Sequence, residues 1–268
     1  MPVPPAAPKR GGARRPVRGA AAARAAAATL AVLMACRDPA AGPGRLSGVP
    51  APLPVYLAAR ARSAPFVNGR LDDAAWAHAE PAVLVDTMTG LPARSRTEAR
   101  LLWDDEALYV AFACQDDVVW VRPGRSDGDA LWEDEVVEVF LDRSGRGREY
   151  VEIEVSPANA RFEARFASPR SDLAAARTWR SGARSAVAVD GAITVGDAPP
   201  APARGWSVEL AVPWSSLGGP PRPGERWRMN LFRLETHGRR APDAQGFSPP
   251  LRGDFHAVDR FGWLEFGG

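Results

Sequence analysis

Apolar and polar residues alternate in many short stretches between positions 97 and 266 of this 268-residue chain. Side chains of a β-strand point alternately to its two faces, so the alternation predicts half-buried strands. The 26 prolines and 25 glycines are spread along the chain and supply turns between the strands. The strands predicted in this way span residues 97–103, 108–116, 135–142, 149–155, 161–166, 185–190, 192–195, 205–212, 226–235 and 261–266.

Helices are rare in this pattern. Two short ones are expected at residues 73–79 and 173–179, the first capped by Asp72, and Gly191 is expected to turn a hairpin. Many short strands with few helices favour an all-β fold. The sequence therefore predicts an antiparallel β-sandwich of the jelly-roll or immunoglobulin-like type with one or two short helices.

The predicted strands between residues 135 and 166 divide into two faces because their side chains alternate. If the strands pair in order, the charged face is an open, solvated surface of the sheet. Its carboxylates and guanidinium groups form cross-strand ion pairs or bind sugar hydroxyls through charge-assisted hydrogen bonds. The apolar face holds Val137, Val139, Leu141, Val151, Ile153, Val155, Phe162, Ala164 and Phe166, and the charged face holds Glu138, Glu152, Glu154, Arg161 and Arg165.

The N-terminal residues 1–35 contain six basic residues and no acidic one, and they end in the apolar run 25–35. A basic region followed by a short apolar run is typical of a signal peptide. The run leads into Leu33-Met34-Ala35-Cys36, which resembles a bacterial lipobox. We expect lipidation of Cys36 and anchoring to a membrane of the bacterial cell envelope, in the periplasm or at the surface. An ordinary cleavable signal is the alternative.

The rest of the chain is mildly acidic. Without the six basic residues of the signal segment, 28 Lys and Arg stand against 32 Asp and Glu, which argues against a nucleic-acid partner. Residues 36–64 are rich in Pro, Ala and Gly and are predicted to be a linker, followed by a folded domain at 65–268. Cys114 shares a strand face with apolar residues, which predicts a buried, inert thiol.

Five ordered sequence blocks resemble one known family, the family 9 carbohydrate-binding modules and their stand-alone relatives, which are related to DOMON domains. The resemblance covers about residues 65–266. The blocks are Val67-Asn68-Gly69-Arg70-Leu71-Asp72-Asp73-Ala74-Ala75-Trp76, residues 101–112, residues 132–142, Gly205-Trp206-Ser207-Val208-Glu209-Leu210-Ala211-Val212-Pro213-Trp214 and Phe261-Gly262-Trp263-Leu264.

The resemblance implies a sugar-binding site. In xylanase-attached members two tryptophans sandwich a terminal sugar and nearby polar groups bind its hydroxyls. Trp132 matches the first tryptophan, Glu138 matches a hydroxyl-binding acid, and Phe247 lies where the second aromatic platform is expected. Glu152 stands where those members carry an arginine. Together with the charged face, the expected carbohydrate-binding residues are Trp132, Glu138, Phe247, Glu152, Glu154 and Arg161, with no catalytic residue.

Acid-rich loops offer a second kind of site. Some members of the family bind structural calcium, and oxygen-rich loops suit that hard cation. The candidates, for which solvated turn residues are the alternative, are Asp116, Asp117, Asp127 and Asp129. No cofactor is required.

The predicted function is a non-catalytic, carbohydrate-binding lipoprotein. It would hold a poly- or oligosaccharide at the cell envelope and support polysaccharide breakdown by separate secreted glycoside hydrolases. Alternatives are a glycoside hydrolase acting on O-glycosyl compounds, a structural surface module, and a DOMON-like haem-binding electron-transfer domain. The haem ligands would come from Met88, Met229, His237 and His256.

Overall fold

A computed structural model describes residues 52–236 and 242–268 of the chain. These residues belong to one compact unit, Pro50–Gly268. The predicted signal segment 1–35, Cys36 and His237 lie outside the described residues. In the described ranges, no helix has the length and apolar character needed to cross a membrane.

The described residues form fifteen strands and a few short helical segments. All ten predicted strands are present, with bounds within two residues of the prediction. The strands are β1 Val55–Arg60, β2 Ala82–Val83, β3 Val85–Asp86, β4 Thr97–Trp103, β5 Ala107–Gln115, β6 Val119–Val121, β7 Val136–Asp142, β8 Tyr150–Val155, β9 Arg161–Phe166, β10 Arg184–Gly191, β11 Ile193–Val195, β12 Ala203–Pro213, β13 Arg226–Glu235, β14 Asp243–Gly246 and β15 Gly262–Phe266. The helices are α1 Leu173–Ala176 and α2 Trp214–Leu217, and 3-10 turns span Ala74–His78, Leu131–Glu133 and Val258–Arg260.

One continuous sheet folds over to make the two layers of a β-sandwich. Its strand order is β10-β12-β5-β4-β1-β15-β13-β7-β8-β9. Strand β1 joins the two halves, because it pairs in parallel with β15 at its start and with β4 at its end. The other pairs along this order are antiparallel. The predicted all-β sandwich is thus confirmed.

The main core lies between the two layers. Strands β7 and β8 contribute the inward-facing Val137, Val139, Leu141, Val151 and Ile153 to it. The opposite layer contributes Leu101, Val110, Phe112, Val208 and Leu210. Cys114 belongs to this core, so its predicted burial is confirmed. Burial raises the pKa of its thiol to about 12.

Arg233 is a fully buried charge that connects the two layers. Its Nη2 atom lies 2.7 Å from Asp116 Oδ2, at the end of β5, and 3.2 Å from Glu235 Oε2 on its own strand. Its Nη1 donates to the carbonyl of Gln115 at 2.9 Å. Glu135 Oε1 lies 3.6 Å away. Buried ions need such partners, because an unpaired charge in the interior is strongly destabilising.

Three local expectations are wrong. The predicted linker 36–64 contains β1, whose hydrogen-bonding partners lie far along the chain and could not be read from its own composition. Asp73, and not Asp72, caps the first helical turn by accepting from Ala75 N. Strand β11 does not return beside β10 but pairs in parallel with β6, so Gly191 does not close a hairpin.

Candidate functional site

Four residues, one from each of four adjacent strands, form a row across the outer face of β13, β7, β8 and β9. The outer face is the one that points away from the main core. Phe232 stands opposite Glu138, Glu138 opposite Glu154, and Glu154 opposite Phe162. Paired residues of neighbouring strands project to the same side of a sheet. The row therefore places two carboxyl groups between two phenyl rings.

Glu152 lies beside this row on β8, opposite Phe140. We call Glu138, Glu152 and Glu154 the glutamate cluster. One carboxylate oxygen from each lies within 4.8 Å of those of the other two. The three side chains are 1%, 4% and 0% exposed, respectively. The structure thus brings together three of the predicted binding residues, but in the interior of the protein.

The prediction of an open, solvated face is wrong for these glutamates. A second apolar cluster, the outer cluster, surrounds and covers them. It includes Phe162, Ala164 and Phe166, which alternation had assigned to the main core. Its buried members are Leu131, Val136, Phe140, Tyr150, Ala160, Phe162, Ala164, Phe166, Ala176, Phe232 and Phe261.

Burial raises the pKa of all three glutamates, because a carboxylate loses its hydration in an apolar environment. The pKa of Glu152 rises to about 7. For Glu138 the negative charge of Glu152 adds to the rise, and for Glu154 the charges of both neighbours do. The backbone N–H of Trp132 lies near the Glu154 carboxyl and offsets part of the rise in its pKa.

Trp132 lies at one end of the row, in the 3-10 turn Leu131–Glu133. Its indole is half-buried and meets Phe162 edge to face, with ring centroids 4.9 Å apart. Asp134 holds the turn, because it accepts from Arg122 at 2.7 Å and from Arg125 at 2.6 Å. The predicted aromatic platform is therefore positioned beside the glutamate cluster.

Phe247, the predicted second aromatic platform, does not lie beside the glutamate cluster. It packs against the main core and meets Tyr56 edge to face at 6.3 Å, on the other side of the sheet from the glutamate cluster. Phe255, later in the same loop, occupies the position beside the cluster. It is half-buried and stacks on Phe232, the other end of the row. The only sequence signal for Phe255 was an aromatic residue in the loop before the last strand.

Arg161 is also absent from the outer face. The register of β8 and β9 places it opposite Val155, on the side of the main core, and its guanidinium donates to the carbonyl of Ala183. The turn between the strands fixes this register, because Ser156 N donates to Ala160 O at 2.9 Å and Ser156 Oγ accepts from Ala160 N at 3.1 Å. A one-residue slip reverses the faces of a strand, which is why Phe162 took the predicted place of Arg161.

The four aspartates predicted as calcium ligands do not converge on one point in the described residues. Asp116 pairs with Arg233, Asp127 accepts from the backbone N–H of Arg161 at 2.9 Å, and Asp129 accepts from Ser126 N at 2.8 Å. Asp117 follows β5 and accepts from Ala203 N through its backbone carbonyl. The group of acidic side chains that does converge, in the part of the chain described, is the glutamate cluster.

The candidate haem ligands among the described residues lie in different parts of the fold. Met229 is buried in the main core and Met88 is exposed. His256 belongs to the loop over the outer face, where its Nδ1 lies 2.7 Å from Tyr150 Oη. Burial lowers the pKa of His256 to about 4, and the positive charge of Arg170 adds to this. Met229 and His256 therefore cannot hold one haem between them in this fold.

Residues 67–262 match the family described as "Carbohydrate family 9 binding domain-like". An extracellular protein of Arthroderma benhamiae is 25% identical over 175 residues, which are 64% of this chain and 78% of that protein. Endo-1,4-beta-xylanase A of Thermotoga neapolitana is 24% identical over 210 residues, which are 78% of this chain. The matched region is only 18% of that xylanase.

Solved structures share the fold. A family 9 carbohydrate-binding module of Caldicellulosiruptor kristjanssonii in complex with cellotriose has a TM-score of 0.53 and 16% identity, over 80% of this chain and 94% of the module. The same type of module in complex with glucose has a TM-score of 0.52 and 17% identity, over 79% and 96%. A protein of Bacteroides uniformis has a TM-score of 0.59 and 16% identity, over 79% and 98%.

Proposed function

The chain belongs to the carbohydrate family 9 binding domain-like family, and on this premise we propose that its β-sandwich binds carbohydrate on the outer face of β13, β7, β8 and β9. One observation carries the location of the site. Two half-buried aromatic rings, Trp132 and Phe255, lie over the two ends of a row whose centre is the Glu138 and Glu154 pair.

The chemistry of these groups suits a sugar. The C–H face of a pyranose ring packs on an aromatic ring, and hiding that apolar area contributes about 1.5–3 kcal/mol per well-covered side chain. Carboxyl groups bind hydroxyls as acceptors or, when protonated, also as donors. Those of Glu138 and Glu154 are buried beneath the outer cluster, so a sugar that reaches them must displace part of that cover. A binding site typically combines such an apolar lining with a few convergent polar groups. The modules of Caldicellulosiruptor kristjanssonii that share this fold are in complex with cellotriose and glucose, which supports a glucose-based glycan as the first ligand to test.

The test is calorimetric titration of the purified chain with the glycan that a glycan array identifies. We expect Trp132→Ala to weaken binding about 10- to 100-fold, since about 1.4 kcal/mol corresponds to a factor of ten. Trp263→Ala is the matched control, because its indole is also partly exposed but lies on β15 beneath Arg226 and Arg228. Equal affinity in the wild type and both variants would contradict the proposed site.

A hydrolase is the second candidate, and the raised pKa of Glu152 is the observation that favours it. A general acid must keep its proton near neutral pH, and a pKa of about 7 meets that requirement. Release of reducing sugar by the wild type, abolished in Glu152→Gln, would identify a glycoside hydrolase. Binding without release would identify a module that holds glycan for separate hydrolases.

We further propose that the chain is a lipoprotein of the cell envelope, anchored through Cys36. The support is the basic region, the apolar run and the lipobox-like sequence before this cysteine. Cys36→Ser should move the protein from the membrane fraction to the soluble fraction and abolish incorporation of labelled fatty acid. A variant that still incorporates the label would contradict this part of the proposal.

A further inference from the structure

One loop lies across the outer face and contacts all four of its strands. We call this loop, residues 251–257, the cover loop. Its Phe255 stacks on Phe232 of β13. The ring of His256 packs against one aromatic residue on each of the other three strands. These residues are Phe140 on β7, Tyr150 on β8 and Phe166 on β9. The cover loop therefore closes the face that carries the proposed sugar site.

The 3-10 turn Leu131–Glu133 is a second part of the cover, and it is held firmly. Leu131 is fully buried in the outer cluster. Asp134, which ends the turn, is also buried and pairs with Arg122 at 2.7 Å and Arg125 at 2.6 Å. Separating a buried carboxylate from its charge partners is strongly destabilising. This turn is therefore not the part of the cover that a sugar displaces.

The cover loop is attached weakly by comparison. Ala257 is its one buried residue. Its backbone hydrogen bonds from Asp254 N to Arg252 O, at 2.8 Å, and from Ala257 N to Asp254 O, at 3.3 Å, stay within the loop. Segments with few buried contacts and with local hydrogen bonds open at a low free energy. The cover loop can thus leave the outer face while the sheet beneath it stays paired.

Leu251, at the start of the cover loop, has the features of a hinge. Its φ of +59° lies in the left-handed region, which is strained for a residue other than glycine. Its side chain is 51% exposed, so burial does not compensate for this strain. Gly253 follows, and the open space around it leaves its backbone free to turn. The ion pair of Arg252 with Asp259 joins the two ends of the loop, which lets the loop move as a unit.

We propose that the cover loop is a lid, which opens at Leu251 to admit the sugar and then closes Phe255 onto it. This inference rests on the proposed function, because it names the part of the cover that a bound sugar displaces. Backbone strain is often found at ligand clamps and switch regions, where a segment must adopt two arrangements. The strained hinge and the weak attachment of the loop together support this assignment.

Two polar contacts latch the cover loop in its closed position. Tyr150 Oη lies 2.7 Å from His256 Nδ1, and Arg170 forms an ion pair with Asp254. Asp254 Oδ1 also accepts from His256 N at 3.0 Å, which connects the two contacts. Both are contacts between side chains, so substitutions can remove them without disturbing the pairing of the strands.

Hydrogen–deuterium exchange of the full chain without glycan measures the opening of the cover loop. We expect the amides of His256 and Ala257 to exchange at least about tenfold faster than the amide of Asp134 in the firmly held turn. Tyr150→Phe keeps the ring but removes the latching hydroxyl, and it should speed exchange in the cover loop about fivefold, the effect of one lost hydrogen bond. The amide of Asp134 should not respond.

Tyr109→Phe is the matched control, because it removes a tyrosine hydroxyl that donates to Asp104 at 2.8 Å in the opposite layer. It should leave exchange in the cover loop unchanged. If Tyr150→Phe does not fold, Arg170→Gln replaces it, since Arg170 is 62% exposed and its loss removes the other latch contact. That variant should speed exchange about twofold, as expected for a surface ion pair. Exchange that neither latch variant changes would overturn the proposal.

Stopped-flow binding of cellotriose then tests the cover loop as the entry route. If the sugar enters only when the loop is open, its association rate scales with the open fraction. Tyr150→Phe should therefore raise the association rate constant by the same factor as the exchange rate, and bound cellotriose should slow exchange in the wild-type loop. An association rate that stays constant while exchange rises would overturn the proposal. A loop that opens as expected in a protein that binds no glycan would uphold the hinged loop and contradict the proposed function instead.

Discussion

Phe255 lies flat on Phe232, with ring centroids 4.1 Å apart and an angle of 4° between the ring planes. Phe232 stands opposite Glu138 in the neighbouring strand, so the stack brings a half-buried aromatic ring from the last loop to the edge of the glutamate cluster. Phe247 is only eight residues earlier in the same loop but packs on the main core. The two phenylalanines should therefore respond differently to truncation.

We expect Phe255→Ala to weaken glycan binding about tenfold, because burial of an aromatic side chain against a ligand contributes about 1.5–3 kcal/mol. Its effect on stability should be smaller than that of Phe247→Ala. Truncating Phe247 removes a ring that packs on the core and should cost about 2–4 kcal/mol of unfolding free energy while leaving affinity unchanged. Calorimetric titration and urea denaturation of both variants check this. A loss of affinity confined to Phe247→Ala would reverse the assignment of the second platform.

Part of the candidate site could be predicted from the sequence. Alternation located the strands and placed the three glutamates on one face, on the assumption that the strands pair in order. The family resemblance, and not alternation, singled out Trp132. Alternation could not reveal that the outer face is covered, since the cover comes from the turn at Leu131–Glu133 and from the loop before β15. That cover depends on contacts between residues distant in the sequence.

The pairing register of the strands was the second feature that the sequence could not predict. The faces of β7 and β8 were assigned correctly, but those of β9 were reversed, because the five-residue turn from Ser156 to Ala160 shifts the pairing by one position. Strand β1 was missed for a related reason. Its short sequence lies next to a segment rich in Pro and Ala, and it is stabilised by pairing with β15 and β4, which lie far away in the chain.

Breaking the buried ion network around Arg233 should strongly destabilise the fold. Arg233→Met should lower the unfolding free energy by about 3–5 kcal/mol, because the guanidinium that faces Asp116, Glu135 and Glu235 is removed while their carboxyl groups stay buried. Arg204→Met is the control. Arg204 pairs with Asp190 at the surface, with 81% of its side chain exposed, and its loss should cost no more than about 1 kcal/mol. Equal denaturant midpoints for the two variants would show that the buried network does not stabilise the fold.

Because the pKa of Glu152 is raised in the folded protein, the unfolding free energy should depend on pH. Its pKa is about 7 in the folded protein against an ordinary value of 4.5. Below pH 4.5 the carboxyl group is protonated in both states, and its burial carries no charge penalty. Between pH 4.5 and 7 the folded protein keeps a proton that the unfolded chain releases, so the unfolding free energy falls as pH rises. The full penalty, about 3 kcal/mol, is present above pH 7.

Glu152→Gln should remove this penalty, because glutamine resembles the protonated carboxyl group and does not ionise. The variant and the wild type should have similar stability at pH 4, and the variant should become more stable by up to about 3 kcal/mol at pH 8. The charge of Glu152 contributes to the raised pKa values of Glu138, Glu154 and Tyr150, so the difference between the two proteins includes the response of these groups. His256 is present in both proteins, and Glu152 does not contribute to its pKa. The low pKa of His256 destabilises both as pH falls below about 6.5, so this effect cancels in the difference. Urea denaturation across this range measures the difference, and a constant difference from pH 4 to pH 8 would show that Glu152 does not titrate in the folded protein.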